Sequence, residues 1–256
     1  MMTLRGTMEY MVAVVAVLGL MGLNANADPL FVENWSSGSI DTGIWRVFDG
    51  GGVSILQVEE AEPGDNALVM AAPLDWSKAI WSLNGFTRQN NLRCTFKIWG
   101  DNDPGRPTGP TGGQTYPGAA GWYGPWHSSN NFQPYNYEVG MLDFYWNALR
   151  LCSTDPTNDP NYSANRSRSF SGSSANTLSS AFQSAVAAAV TKADAITVRV
   201  WLGNDDNAAI EWKTDSTDWT MEYDLRDSDA GYSSAGATVY LGFGPVQSYV
   251  YIDDLV

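Results

Sequence analysis

Apolar and polar residues alternate in short runs along most of the chain, and turn-forming residues separate one run from the next. In residues 91–99, Leu92, Cys94 and Phe96 alternate with polar residues. This period of two is typical of a β-strand with one buried face and one face in water. Further strands are predicted at residues 31–35, 44–48, 53–59, 66–72, 78–83, 137–146, 148–153, 196–203, 208–214, 219–225, 237–244 and 248–256. So many short strands predict an all-β, two-sheet antiparallel sandwich.

One segment, residues 177–194, follows a helical pattern instead. Its apolar side chains recur every fourth residue among many alanines, which favours an amphipathic helix. We predict one short helix laid on the sandwich, with Thr177 or Asn176 as its N-cap. The recurring residues are Leu178, Phe182, Val186 and Val190.

Two long segments, residues 101–134 and 153–176, show neither pattern. Residues 121–138 hold seven aromatic or His side chains among Gly, Pro, Ser and Asn, so we do not expect an ordinary core strand there. Sugar recognition needs flat rings for the apolar faces of pyranoses and amides for their hydroxyls, and loops on a rigid scaffold often bind ligands. The alternative is that the rings pack the loop onto its own sheet. The predicted ligand-binding residues are Trp122, Tyr123, Trp126, Asn130 and Asn131.

The N-terminal residues predict export. An apolar run of 13 residues from Met11 to Leu23 follows Arg5 and precedes the small-residue site Ala25-Asn26-Ala27. Such a run is short for a bilayer, which needs about 20 residues. We predict a signal peptide at residues 1–27, one domain at 28–256, no membrane span after cleavage, and a secreted, extracellular or periplasmic location. An uncleaved anchor is the alternative.

The chain is acidic, and its charge narrows the range of partners. It has 14 Lys and Arg against 28 Asp and Glu, a formal net charge of −14. This balance argues against nucleic acid, whose phosphates require a basic surface. It also disfavours anionic polysaccharides, although a local basic cluster would override the average charge.

The chain has two cysteines and one histidine. In an oxidising compartment, a disulfide between Cys94 and Cys152 is the simplest prediction. Two Cys and one His are too few for a Cys/His metal cluster. A catalytic triad would have to use His127, and no nucleophile motif accompanies that residue.

The two ends of the chain resemble a known superfamily. The stretches FVENWSSGSIDTGIWRVFDGG (31–51) and VYLGFGPVQSYVYIDDLV (239–256) are similar to the first and last strands of concanavalin A-like jelly rolls of the LamG-like and laminarinase-like kind. The resemblance implies a jelly-roll sandwich whose first and last strands pair side by side. It also implies a structural Ca²⁺ beside those strands, with Glu33 and Asp254, or Asp253, as the carboxylate ligands.

Catalysis is weakly indicated. Laminarinase-like hydrolases carry E-x-D-x-x-E on one strand, and the nearest residues here are Glu138 and Asp143. Their offset of five places them on opposite faces of a regular strand, so only a bulge at Gly140 would bring them together. Glu222 and Asp224 do share a face, but a solvated strand predicts the same spacing.

The sequence therefore predicts a secreted, non-catalytic carbohydrate-binding or cell-surface adhesion module, with a polysaccharide or cell-surface glycan as its partner. One alternative is a glycoside hydrolase or polysaccharide lyase of jelly-roll fold. The other is a structural extracellular domain whose aromatic residues all pack internally.

Overall fold

A computed structural model describes most of the chain outside the N-terminal segment and several connections. The sandwich lies within the compact unit Val32–Val256. The described residues are 29–49, 55–71, 78–87, 92–101, 118–119, 122–127, 141–143, 148–151, 168–169, 179–202, 208–224, 238–245 and 249–256.

Within these residues the chain forms fifteen strands, one α-helix and one short 3₁₀ helix, Lys192–Asp194. The helix, α1, is Ser180–Ala188. The strands are β1 Trp45–Asp49, β2 Ile55–Glu62, β3 Asp65–Ala71, β4 Lys78–Ser82, β5 Phe86–Thr87, β6 Leu92–Gly100, β7 Trp122–His127, β8 Met141–Asp143, β9 Ala148–Leu151, β10 Arg168–Ser169, β11 Ile196–Leu202, β12 Ala208–Lys213, β13 Thr220–Asp224, β14 Thr238–Pro245 and β15 Tyr249–Asp253.

The strands form two antiparallel sheets, which confirms the predicted all-β jelly-roll sandwich. The first sheet has the order β1-β4-β14-β7-β8-β9-β10, with β5 paired to β14. The second has the order β13-β12-β11-β6-β15-β3-β2. Glu33 and Leu255 exchange two backbone hydrogen bonds of 2.8 and 2.9 Å, so the two ends of the chain pair as the resemblance implies.

The core lies between the sheets, where alternate residues of facing strands meet. Phe96 of β6 contacts Phe243 of β14 edge to face, with ring centroids 5.1 Å apart. Phe182 of α1 stacks on Trp212 of β12 at 5.2 Å, which places the helix over the edge of the second sheet. Burial of each such side chain contributes roughly 1.5–3 kcal/mol.

Most predicted strands are present, with bounds shifted by a few residues. Residues 31–35 are an exception, because they contribute a single bridge at Glu33 instead of a strand. The helix is present but shorter than predicted, and its N-cap is Ser179. The Oγ of Ser179 accepts a hydrogen bond from the Phe182 amide at 3.1 Å, so neither Thr177 nor Asn176 caps the helix.

The predicted disulfide is wrong, because Cys94 is not part of a disulfide. Cys94 is a free, buried thiol on the core face of β6. Its neighbours on that face are Leu92 and Phe96, so strand alternation turns the sulfur into the apolar interior. Burial raises the pKa of the Cys94 thiol well above its ordinary value. Cys152 lies outside the described residues.

The described helix is too short to cross a membrane, and the described part of the chain contains no apolar helix of bilayer-spanning length. The predicted signal peptide, residues 1–27, lies outside the described residues.

Candidate functional site

The aromatic segment contains a strand, β7, and this overturns part of the sequence interpretation. Trp122 is 0% exposed and Trp126 is 2% exposed. The Trp122 ring contacts Phe96 edge to face at 5.4 Å, and Trp126 contacts Phe86 at 6.2 Å. Both tryptophans therefore pack inside the sandwich, so the prediction that they present rings to a ligand is wrong.

The other half of β7 alternates with these tryptophans. Tyr123 and His127 occupy the alternate strand positions, and their side chains lie outside the described part of the structure. Tyr123 is in register with Asp143 of β8 on one side and with Gly244 of β14 on the other. His127 is in register with Tyr240. The sheet thus brings together two sequence candidates, Tyr123 and Asp143, that are twenty residues apart in the chain.

Glycines in β14 shape this face. Gly242 and Gly244 lie at alternate positions on the same side as Tyr240, so no side chain rises from the sheet there. Gly242 is in register with Trp81 of β4. The glycines contribute no side chain between the positions of Trp81 and Tyr123, and both glycines are buried. We call this set of positions the β7 outer face: Tyr123, His127, Asp143, Tyr240, Gly242 and Gly244.

The contact between β7 and β14 explains one further glycine. Gly124 has a φ of +142°, and a Cβ there would lie 2.4 Å from the carbonyl oxygen of Gly242. Any larger residue at position 124 would push the two strands apart, because the obstructing atom belongs to the backbone. Gly124 thereby fixes the spacing on which the β7 outer face depends.

The sequence-based prediction did not include Tyr240, Gly242 and Gly244. The alternation of Gly with apolar residues in YLGFG could have indicated them, because isolated glycines within a strand often mark close backbone approach. Three predicted residues, Asn130, Asn131 and Glu138, lie outside the described residues.

The calcium ligands implied by the resemblance do not fit a metal ion. Glu33 accepts a hydrogen bond from the Trp35 amide at 2.9 Å and another from Trp45 Nε1 at 3.1 Å. Asp254 forms an ion pair of 3.0 Å with Lys97. Among the described residues, no group of three His, Cys, Asp or Glu side chains is arranged to hold a metal. Protein donors therefore engage the carboxylates of Glu33 and Asp254, the two predicted ligands.

Asp253, the other acidic candidate, is part of a buried ion pair. Lys192 Nζ lies 2.8 Å from its carboxylate, also contacts Asp65, and sits 5.7 Å from the centre of the Trp99 ring. Burial raises the pKa of Asp253, against the opposing effect of Lys192. For Lys192, burial lowers the pKa, but the hydrogen bonds to Asp253 and Asp65 outweigh it and raise the pKa from 10.5. This group joins the 3₁₀ helix to the second sheet.

Glu222 also has a structural role. Its carboxylate accepts hydrogen bonds from the Ser179 amide, from Ser179 Oγ at 2.7 Å and from Trp212 Nε1 at 3.2 Å. These contacts hold the start of α1 against β12 and β13. We therefore interpret Glu222 as a helix anchor and not as the catalytic partner of Asp224.

Comparison with known proteins finds similar chains among solved structures alone. No protein-family model matches the chain, and no curated protein sequence matches it. Among solved structures, the potassium-bound Emp46p carbohydrate recognition domain is 9% identical, with a TM-score of 0.48 over 86% of this chain and 95% of that one.

Two further structures are similar over comparable lengths. A legume lectin-like domain from Entamoeba histolytica is 10% identical, with a TM-score of 0.46 over 91% of this chain and 98% of that one. Peanut lectin, in complex with a nine-residue peptide, is 13% identical, with a TM-score of 0.42 over 88% of this chain and 97% of that one. At such identities the likeness concerns architecture alone, and what those proteins bind is not carried over to this chain.

Proposed function

We propose that the chain is a non-catalytic carbohydrate-binding module and that the β7 outer face is its binding site. One observation carries the proposal: β7 buries Trp122 and Trp126, and its pairing with β8 puts Tyr123 in register with Asp143. The buried tryptophans anchor the strand. The alternate positions are then held at fixed spacing on a rigid sheet, as a binding site requires.

The residue types on this face suit a saccharide. Tyrosine supplies a ring with a polar tip, and it lies in register with the carboxylate residue Asp143. In an antiparallel sheet, residues in register lie about 4.5–5.5 Å apart at Cα. A sugar that stacks on the ring would have a hydroxyl within reach of the acid.

The same face supports binding better than glycoside hydrolysis. Retaining hydrolases need two carboxyl groups about 5–5.5 Å apart, and inverting ones about 6.5–9.5 Å apart. Among the described outward positions of β4, β7, β8 and β14, Asp143 is the one carboxylate residue. A single acid serves as a hydrogen-bond acceptor for sugar hydroxyls and does not supply the second catalytic group.

Affinity electrophoresis of the purified chain through gels cast with a neutral glucan, xylan or galactan tests the proposal. We expect retardation in at least one gel, unchanged by EDTA. Tyr123→Ala and Asp143→Asn are expected to weaken it about tenfold or more. Trp126→Phe, a core substitution, is the control and is expected to lower the melting temperature while retaining binding. Absence of retardation in every gel, or retardation indifferent to Tyr123→Ala, would contradict the proposal.

Export is part of the proposed function. The residues that predict it, 1–27, support a secreted or cell-surface location in which a glycan-binding module meets its ligand. N-terminal sequencing of the protein recovered from an expressing culture tests this, with Asp28 expected as the first residue. An intact N-terminus starting at Met1 would contradict the proposed cleavage.

A further inference from the structure

The outward face of the second sheet carries a cluster of cations and tryptophans that the β7 outer face does not use. It is built on β6, β11 and β12, with one residue from the turn before β13. We call it the cation–tryptophan cluster; its members are Arg93, Arg199, Trp201, Glu211, Lys213 and Trp219.

Each tryptophan in the cluster is paired with a cation. The Arg93 guanidinium lies 5.2 Å from the centre of the Trp201 ring. The Arg199 guanidinium lies 3.7 Å from the centre of the Trp219 ring, and Lys213 Nζ lies 5.4 Å from it. Rings of this kind hold guanidinium planes in fixed orientations, which reduces the entropy lost when a ligand binds them.

The cluster has more hydrogen-bond donors than acceptors. One oxygen of Glu211, Oε2, accepts from Arg199 Nη1 at 2.9 Å and from Trp201 Nε1 at 3.3 Å. The Nε–H of Arg199 is buried and has no acceptor among the described residues. Arg93 is exposed and has no ion-pair partner in the described part of the chain. An entering carboxylate would supply the acceptor oxygens that the exposed Arg93 guanidinium lacks.

The charge of the cluster contrasts with that of the chain. The formal net charge is −14, yet three cations and one carboxylate meet here. Register explains the clustering, since Arg93 pairs with Trp201 across β6 and β11, and Arg199 pairs with Glu211 across β11 and β12. A local positive site of this size suits one or two carboxylates of a saccharide chain.

We propose that the cation–tryptophan cluster binds the carboxylate groups of an acidic saccharide, a uronic acid, with Arg93 as the exposed anchor and Arg199 beside it. The inference rests on the proposed carbohydrate-binding function, because the class of ligand is taken from it. It assigns a second site on the opposite sheet. The two sites recognise different parts of a mixed polysaccharide: neutral residues at the β7 outer face and charged residues at the cluster.

Affinity electrophoresis tests the inference with polygalacturonate as the probe and its methyl-esterified form as the ligand control. Esterification removes the negative charge and keeps the sugar chain. We expect retardation by polygalacturonate, little by the ester, and weakening as salt rises from about 50 to about 300 mM, since exposed charges are screened. Dextran sulfate is the third gel, and we expect weaker retardation there because guanidinium matches a planar carboxylate.

Matched arginine variants locate the site. Arg93→Met is expected to weaken polygalacturonate retention about tenfold, and Arg199→Met at least as much. Arg46→Met is the control, because Arg46 is also an exposed arginine over a tryptophan, at 6.0 Å from Trp81, but on the first sheet. We expect that control to bind polygalacturonate as the wild type does. Equal losses in the Arg46 and Arg93 variants would overturn the assignment.

The outcomes separate this inference from the proposed function. Retention by a neutral glycan that depends on Tyr123, with none by polygalacturonate, would overturn the cluster site and leave the β7 outer face intact. Equal retention by dextran sulfate and polygalacturonate would overturn recognition of a carboxylate. Absence of retention by every saccharide would contradict both. Loss of stability in Arg93→Met, with binding unchanged, would assign the cluster to packing alone.

Discussion

The two outer faces of the sandwich use aromatic residues in different ways. On the β7 outer face, the tryptophans of the strand are in the core and a tyrosine and a histidine occupy the outer positions. In the cation–tryptophan cluster, the tryptophans Trp201 and Trp219 are on the outside, each with a cation against its ring. The second face offers more cations to a ligand, since Arg93, Arg199 and Lys213 meet there. We infer that it suits acidic sugars, whereas the β7 outer face suits neutral ones.

The largest expected effect comes from removing the anchor beneath the first face. Trp122→Ala deletes a fully buried ring that contacts Phe96 and Phe243, and should lower the free energy of unfolding by about 3–5 kcal/mol. Urea denaturation measures this. Tyr123→Ala, one residue away at an outer position, should change it by about 0.5 kcal/mol or less. Similar losses in the two variants would contradict the inward and outward assignment of β7.

Glu211→Gln sharpens the contrast on the second face. The Glu211 side chain is 18% exposed and that of Arg199 is 21% exposed, so the pair is partly screened by solvent. Weakening its charge-assisted hydrogen bonds should lower the free energy of unfolding by about 1 kcal/mol. The same change removes a negative charge, so retention by polygalacturonate should increase while retention by a neutral glycan stays constant. A fall in polygalacturonate retention would show that Glu211 positions Arg199 for binding.

A smaller loss of stability is expected at high pH, and it should affect the second sheet. The hydrogen bond to Asp254 raises the pKa of Lys97 above 10.5, and the pKa of Lys192 is raised by Asp253 and Asp65. A raised lysine pKa stabilises the folded state fully below the unfolded pKa, and this stability is lost as pH rises through the folded pKa.

Chemical denaturation at pH 9 and pH 11 measures that loss. Lys192→Met is the control, and it should show a smaller drop between the two pH values than the wild type. Hydrogen exchange should increase first around β6 and β15, which carry Lys97 and Asp253. An equal drop in the wild type and the variant would exclude Lys192 as a source of the alkaline loss.

The smallest expected effect is a loss of stability at two sites where an exposed arginine lies over a tryptophan. Arg93→Met and Arg46→Met should each lower the free energy of unfolding by about 0.5 kcal/mol, the magnitude of an exposed cation–π contact. Thermal unfolding measures both. Because the pairs are alike in stability, a difference in polygalacturonate binding between them would arise from their surroundings. A loss of several kcal/mol in either variant would contradict its placement at the surface.

Much of the fold followed from local patterns. The period of two in β6 predicted that strand and its buried face, because a pleated strand turns alternate side chains to one side, and β11 was predicted as a strand. The helix was also predicted, although its cap was not, since Ser179 gains its role from Glu222 in β13. The prediction failed at β7, where Gly124 and Pro125 disguise a strand that its partners β14 and β8 complete.

The candidate site residues also differ in how far local sequence predicted their placement. Tyr123 as a ligand-binding residue was predicted from composition alone and stays a prediction, whereas the neighbouring Trp122 and Trp126 were assigned to the wrong side of the strand. Composition gives the types of side chain in a segment, but strand parity decides which of them face the core. Glu33 and Asp254 were expected to hold calcium, yet local donors and Lys97 satisfy them.

The sequence by itself determined the class of fold, the acidic charge and most of the strand positions, because these depend on composition and on a periodicity that short segments carry alone. Tertiary structure decided which tryptophans are buried, that Cys94 is a buried thiol, and where the cations collect. Arg93, Arg199 and Lys213 are spread over more than a hundred residues of an acidic chain. Sheet register places them on one face, and register depends on pairings between distant strands that no single segment specifies.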